Sequence, residues 1–303
     1  MPTFSGVIPP VVSPMSAPDQ IDGPAVGRIV EHLISGGVSG LFVLGTTGEG
    51  PSLTYQMRYE MVELTCEVAA GRVPVFVGVT DTCLAESIAL AEHASRCQAA
   101  AIVAAAPFYF DVPQLALEEW FDALATGSPL PLMLYNMPSC VDVVLESATV
   151  DTLSHHPNII GIKDSGGDME YFENLCGRHR HRSDFVIFMG SEERLAEAVA
   201  LGAAGGVCGG ANLLPHVYTS LYKAATRGDH GGIAECKDII RRVFESVYHD
   251  DDGRMKLIPG LKRAMQELGL CNAVVAPPLS LVSERHASKI SQSVPQLLAT
   301  SQF

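Results

Sequence analysis

The sequence predicts an α/β fold, a (β/α)8 barrel with a C-terminal helical extension, on three observations. Eight short β-rich runs recur up to Cys208. Amphipathic segments with apolar residues three and four apart lie between them. The runs themselves are almost wholly apolar, as strands covered on both faces are. A doubly wound sheet is the competing architecture, but it calls for a Gly-rich dinucleotide turn near the start, and Gly6-Val7-Ile8-Pro9-Pro10 has none.

In chain order the runs are residues 6–12, 40–44, 74–79, 99–105, 131–135, 159–163, 185–189 and 205–208. Helical patterns between them include 25–35, 55–69, 84–95, 115–125, 147–154 and 195–201. Four more follow, at 216–227, 233–248, 255–268 and 283–298, too many for one closing helix. The chain is therefore divided into a barrel over 1–227 and a helical extension over 228–303, turning near Gly228-Asp229.

Composition narrows the function. The 303 residues are 47% hydrophobic and 18% charged, which suits a large folded core. No apolar stretch reaches the roughly 18 residues a membrane span needs, and the first residues lack a basic signal region, so a cytoplasmic protein is expected. A net charge of -14 opposes binding to nucleic acid or an anionic membrane. Eight cysteines and ten histidines show no metal-ligand spacing, and no metal is assigned. The cluster His179-Arg180-His181-Arg182 reads as a solvated helix end.

In such a barrel the site lies at the C-terminal ends of the strands. Lys163, one of six lysines, closes the apolar run Asn158-Ile159-Ile160-Gly161-Ile162. Poor solvation favours the neutral amine of a lysine, a nucleophile toward carbonyls, although a lysine snorkelling from an edge strand would look the same locally. The second run ends in Gly45-Thr46-Thr47-Gly48-Glu49-Gly50, whose hydroxyls and free N–H groups suit a carboxylate and equally suit a capped turn. Tyr135 ends the fifth run, next to Lys163 if barrel order holds, where a phenol can move protons. Tyr109, in Pro107-Phe108-Tyr109-Phe110, reads first as a packing or oligomer contact.

These motifs resemble the dihydrodipicolinate synthase/N-acetylneuraminate lyase family of Schiff-base, pyruvate-dependent enzymes. The resemblance rests on Gly45-Thr46-Thr47-Gly48-Glu49, Tyr135-Asn136-Met137-Pro138 and Gly161-Ile162-Lys163-Asp164-Ser165, in that order. It implies a TIM barrel in which Lys163 forms an imine with pyruvate or a longer 2-oxo acid, while Thr46, Thr47 and Gly48 hold the carboxylate. It implies that Tyr135 transfers protons, linked through the Thr47 hydroxyl to Tyr109 reaching across a tight dimer interface. It further implies Ser165, Ser191 and the Val207 carbonyl at the distal part of the substrate, no cofactor beyond the covalent imine, and a homotetramer of tight dimers.

Departures bear on the substrate. Pro138-Ser139-Cys140 lacks the arginine with which dihydrodipicolinate synthases engage a second carboxylate. Val141-Asp142-Val143 lacks the glycine usual there, and Met57 replaces a usual glutamate. His156-Pro157-Asn158-Ile159, Gly205-Gly206-Val207-Cys208 and Ile258-Pro259-Gly260-Leu261-Lys262 resemble the 4-hydroxy-2-oxoglutarate aldolase branch more closely. The expectation is an aldolase that reversibly cleaves a 4-hydroxy-2-oxo acid to pyruvate and an aldehyde. Dihydrodipicolinate synthase, an imine-forming 2-oxo acid dehydratase or deaminase, and a non-catalytic 2-oxo acid sensor are the alternatives.

Overall fold

The computed structural model describes residues 4–250 and 253–301. Each predicted run holds a strand: β1 (Gly6–Val7), β2 (Leu41–Val43), β3 (Val75–Gly78), β4 (Ala101–Ala105), β5 (Leu132–Asn136), β6 (Ile159–Asp164), β7 (Val186–Met189) and β8 (Gly205–Gly206). Neighbours pair in parallel in chain order, and β8 returns to β1. The ring closes just past β1, where Phe42 N donates to Pro9 O at 3.0 Å and Val11 N donates to Phe42 O at 2.8 Å. β1 is shorter than expected because Pro9 and Pro10 have no N–H to give, and only an isolated bridge from Pro10 to Phe42 remains.

The period of two sorts each strand's side chains. Phe42, Phe76, Val103, Met133 and Phe188 fill the barrel, while Val43, Val77, Ile102, Leu134 and Ile162 face outward into a second apolar layer beneath the helices. That outer layer also takes Ile239, Ile240, Val243, Leu261 and Met265 from the extension. The extension comprises helices His230–Val243, Leu257–Glu267 and Glu284–Thr300, with a π-helical turn, Phe244–Tyr248, after the first. Gly260 lets the second of these lie against that turn, since a Cβ there would sit 2.0 Å from the Val247 carbonyl oxygen.

A buried ion pair ties the two parts together. Glu49 follows the threonines of the second strand end, and its carboxylate pairs with Lys262, both side chains being fully buried. Lys262 Nζ also donates to Val274 O at 2.7 Å, and Ala276 N donates to Glu49 Oε2 at 2.7 Å. Burial depresses the Lys262 ammonium below its ordinary range, and the facing carboxylate opposes that shift.

Four features depart from the sequence reading. A small antiparallel hairpin pairs Met15–Ala17 with Gln20–Ile21, and a helix covers Met169–His179. That helix does end where the basic cluster begins, but His179 is buried, 3.4 Å from Asp151 and stacked on Phe185 with ring centroids 4.5 Å apart. Met255, expected to start a helix, instead bridges His249 ahead of the helix Leu257–Glu267. Among the described residues no helix is long and apolar enough to cross a membrane, and no three His, Cys, Asp or Glu side chains are placed to hold a metal ion.

Candidate active site

The pairing of β5 with β6 sets Tyr135 directly beside Lys163. Both side chains point into the barrel, where Lys163 is only 5% exposed. Its Nζ lies 3.9 Å from the Tyr135 ring centroid and 5.3 Å from that of Phe42. The amine thus lies against two aromatic rings and lines the cavity described below.

The threonine loop leaves β2 through Leu44 at φ 60° and ends at Glu49 at φ 56°, both in the left-handed region. This reversal turns the first threonine over the mouth, so that Thr46 Oγ1 lies 3.3 Å from the Tyr135 hydroxyl. Thr46, not the Thr47 expected, is thus the threonine whose hydroxyl lies beside Tyr135. Thr47 is buried deeper, facing Gly209: a Cβ on that glycine would lie 3.8 Å from Thr47 Oγ1. Gly48 sits behind the pair, its carbonyl accepting the Ser13 hydroxyl at 2.7 Å.

The other face of the lysine strand is anchored by Asp164. Asn136 Nδ2 donates to Asp164 Oδ1 at 2.7 Å, the Gly166 N–H donates to the same oxygen at 3.2 Å, and Asn136 Oδ1 accepts the Leu145 N–H at 3.1 Å. Burial pushes the Asp164 carboxyl above its ordinary range, against the opposing effect of these donors. This network fixes the ends of β5 and β6, and with them Tyr135 and Lys163. Ser165 follows, and Gly190 makes room for it: a Cβ at Gly190 would fall 1.9 Å from Ser165 Oγ.

A cavity of about 350 Å3 opens over these groups. Thr46, Thr47, Tyr135 and Lys163 line its floor, and Ser165, Ser191, Glu193 and Val207 its flank. Lys163 is the only cation among the described lining residues. Ser139, Cys140 and Asp142 are exposed and outside it. Tyr109 also lies outside: it is 88% exposed at φ 92°, its ring edge-on to that of Phe110 at 5.1 Å.

Sequence reading missed two contributors. Glu192 is buried beside the cavity, its Oε2 accepting the Gly210 N–H at 2.7 Å and its Oε1 the Tyr218 hydroxyl at 2.9 Å, and burial raises its carboxyl. It fixes the Gly209-Gly210 backbone that faces Thr47. The second is the far wall, built from Phe244, Met255, Leu257 and Ile258 of the extension. The segment Ile258-Pro259-Gly260 was visible as a motif, but nothing in it told which way its side chains would face.

Known proteins share this fold. A model of the dihydrodipicolinate synthetase family matches residues 3–297. The chain is 31% identical over 295 residues to a probable 2-dehydro-3-deoxy-D-pentonate aldolase, YjhH of Escherichia coli K12, covering 96% of each. It is 33% identical over 281 residues to a 4-hydroxy-tetrahydrodipicolinate synthase of Thermus thermophilus, covering 91% of this chain and 90% of that one. Among solved structures, a dihydrodipicolinate synthase from Bacteroides thetaiotaomicron superposes with a TM-score of 0.94 at 40% identity, covering 98% of this chain and 100% of that one. Escherichia coli YagE in complex with pyruvate gives 0.90 at 29% identity, covering 98% and 99%.

Proposed function

The chain belongs to the dihydrodipicolinate synthetase family, and on that premise we propose a carbon–carbon lyase that reversibly cleaves a 4-hydroxy-2-oxo acid to pyruvate and an aldehyde through an imine on Lys163. The observation that carries this reading is the buried Lys163 amine held 3.9 Å from the Tyr135 ring, with the Tyr135 hydroxyl in turn 3.3 Å from Thr46. Lys163 Nζ attacks the 2-oxo carbon and water leaves, giving a protonated imine beside the substrate carboxylate. The C4 hydroxyl then gives up its proton, the C3–C4 bond breaks, and its electron pair moves through C3 to the imine nitrogen. An aldehyde departs and an enamine remains, which is protonated at C3 and hydrolysed to pyruvate and free lysine.

Tyr135 is the proton carrier in this scheme, oriented by the Thr46 hydroxyl, and Thr47 with the adjoining backbone N–H groups holds the carboxylate. The imine is itself the electron sink, so no metal or organic cofactor enters. Ser165, Ser191 and the Val207 carbonyl line the route toward the leaving aldehyde. The exposed Tyr109–Phe110 pair supports an aromatic contact with a second copy of the chain, in a tetramer of tight dimers.

A second reading, condensation of pyruvate with aspartate semialdehyde, is favoured by the likeness to the Thermus thermophilus synthase. The lack of any cation besides Lys163 among the described lining residues opposes it. A coupled assay of pyruvate release from a panel of 4-hydroxy-2-oxo acids separates the readings. Release from at least one acid, lost on borohydride treatment in the presence of pyruvate, is the expected result. Release from none, with turnover of aspartate semialdehyde, would select the synthase.

A further inference from the structure

The floor and the far wall of the cavity differ in chemistry. Thr46, Thr47, Tyr135 and Lys163 present hydroxyls and an amine, whereas Phe244, Met255, Leu257 and Ile258 present only carbon and sulfur. Met137, just past the end of β5, adds to the apolar surface from the barrel side. Floor and wall meet at Gly209: a Cβ there would lie 3.8 Å from Thr47 Oγ1 and 3.9 Å from Leu257 Cδ2. The apolar surface is therefore continuous with the polar floor within one cavity.

This wall is held in place. Phe244 opens the π-helical turn and packs edge-on against Tyr248, ring centroids 5.4 Å apart, and Tyr248 is fully buried beside Glu192. A π turn shifts the face of a helix and recurs at functional sites. The Lys256 N–H donates to Tyr248 O at 2.6 Å, which brings Leu257 and Ile258 back over the mouth.

Charge narrows the ligand further. Apart from Lys163, the ionisable side chains of the lining are Tyr135, Glu192 and Glu193. A second carboxylate on the ligand would lose water and meet no second cation among the described lining residues.

We propose that the extension builds a distal subsite for an uncharged apolar group, so that the substrate carries an aliphatic or aromatic substituent at C4 and the released aldehyde is hydrophobic. The subsite rests on the imine reading only for the placement of the 2-oxo acid end. Isothermal titration with 4-phenyl-2-oxobutanoate and 2-oxoglutarate tests it, because the first lacks a C4 hydroxyl and cannot be cleaved. The phenyl acid is expected to bind at least roughly tenfold more tightly, the discrimination a well-filled apolar pocket gives. The double variant Met255→Gln/Leu257→Gln is expected to erase most of that margin, with circular dichroism reporting that it is folded. Equal or tighter binding of 2-oxoglutarate by the wild type overturns the proposal, as does a margin that survives in the folded variant. Borohydride trapping with pyruvate, run alongside, keeps the two ideas apart. An adduct on Lys163 without preference for the phenyl acid removes the subsite alone, and the preference without an adduct removes the imine alone while the subsite stands.

Discussion

The floor of the cavity is made of strand ends, and its far wall of helices that follow the barrel in sequence. The floor holds Lys163 and Tyr135 by backbone register and by the Asn136–Asp164 network, so its geometry is fixed by the sheet itself. The wall depends on how the extension docks, through the Glu49–Lys262 pair and the close approach at Gly260. On the proposed function the difference is a division of labour: the barrel carries the bond-making groups, and the extension selects what sits beside them.

Substitutions on the two sides should therefore read out differently. On the proposed mechanism Tyr135→Phe keeps the ring over Lys163 but removes the proposed proton carrier, so kcat is expected to fall by about 10²–10⁴-fold while the variant stays folded. Retention of full kcat would remove Tyr135 from the proton path. On the other side, Lys262→Ala leaves the buried Glu49 carboxylate unpaired, and unfolding in urea is expected to show a loss of about 3–5 kcal/mol. Replacing both partners, Glu49→Leu with Lys262→Met, should recover much of that loss. If the single variant were as stable as the wild type, the extension would be held by its apolar contacts alone.

Smaller effects sharpen the comparison. Thr46→Val removes one hydrogen bond to Tyr135, and kcat is expected to drop by roughly tenfold. Thr46 and Thr47 can be told apart in this way: Thr47→Val should act mainly on KM for the 2-oxo acid. Equal effects on kcat from the two variants would contradict the observed pairing. Distant from both regions, burial holds the His179 imidazole below its ordinary value of 6.5. A depressed histidine pKa means that the unfolded chain binds the extra proton first, so its contribution is intact above pH 6.5 and is lost as pH falls through that value. Denaturation midpoints taken between pH 8 and 5 should fall less steeply in His179→Gln; an unchanged slope would assign the acid sensitivity to other groups.

Much of this was legible in the sequence, for reasons that vary by element. The eight strands showed because both faces are covered, which leaves uninterrupted apolar runs such as Ile159–Lys163 within β6. The helix Met169–His179 was harder to see. Its buried face is Phe172, Leu175, Cys176 and His179, properly spaced for a helix, but a cysteine and a histidine do not register as apolar. Lys163 and Tyr135 stood out as polar residues ending apolar strands. The resemblance points to Thr47 as the hydroxyl linked to Tyr135, whereas Thr46 is the one beside it; the choice depends on the left-handed backbone at Leu44, a residue type that gives no such signal. The far wall was invisible for a similar reason: Phe244 is separated from Lys163 by some 80 residues of sequence, and only the docking of the extension brings them to one cavity.

The most direct test of the central claim is peptide mapping after borohydride reduction with pyruvate, in the wild type and in Lys163→Ala. The wild type should carry a single reduced pyruvate adduct on the peptide containing Lys163, and the alanine variant neither adduct nor turnover. An adduct on another lysine, or an alanine variant that still turns over substrate, would contradict it.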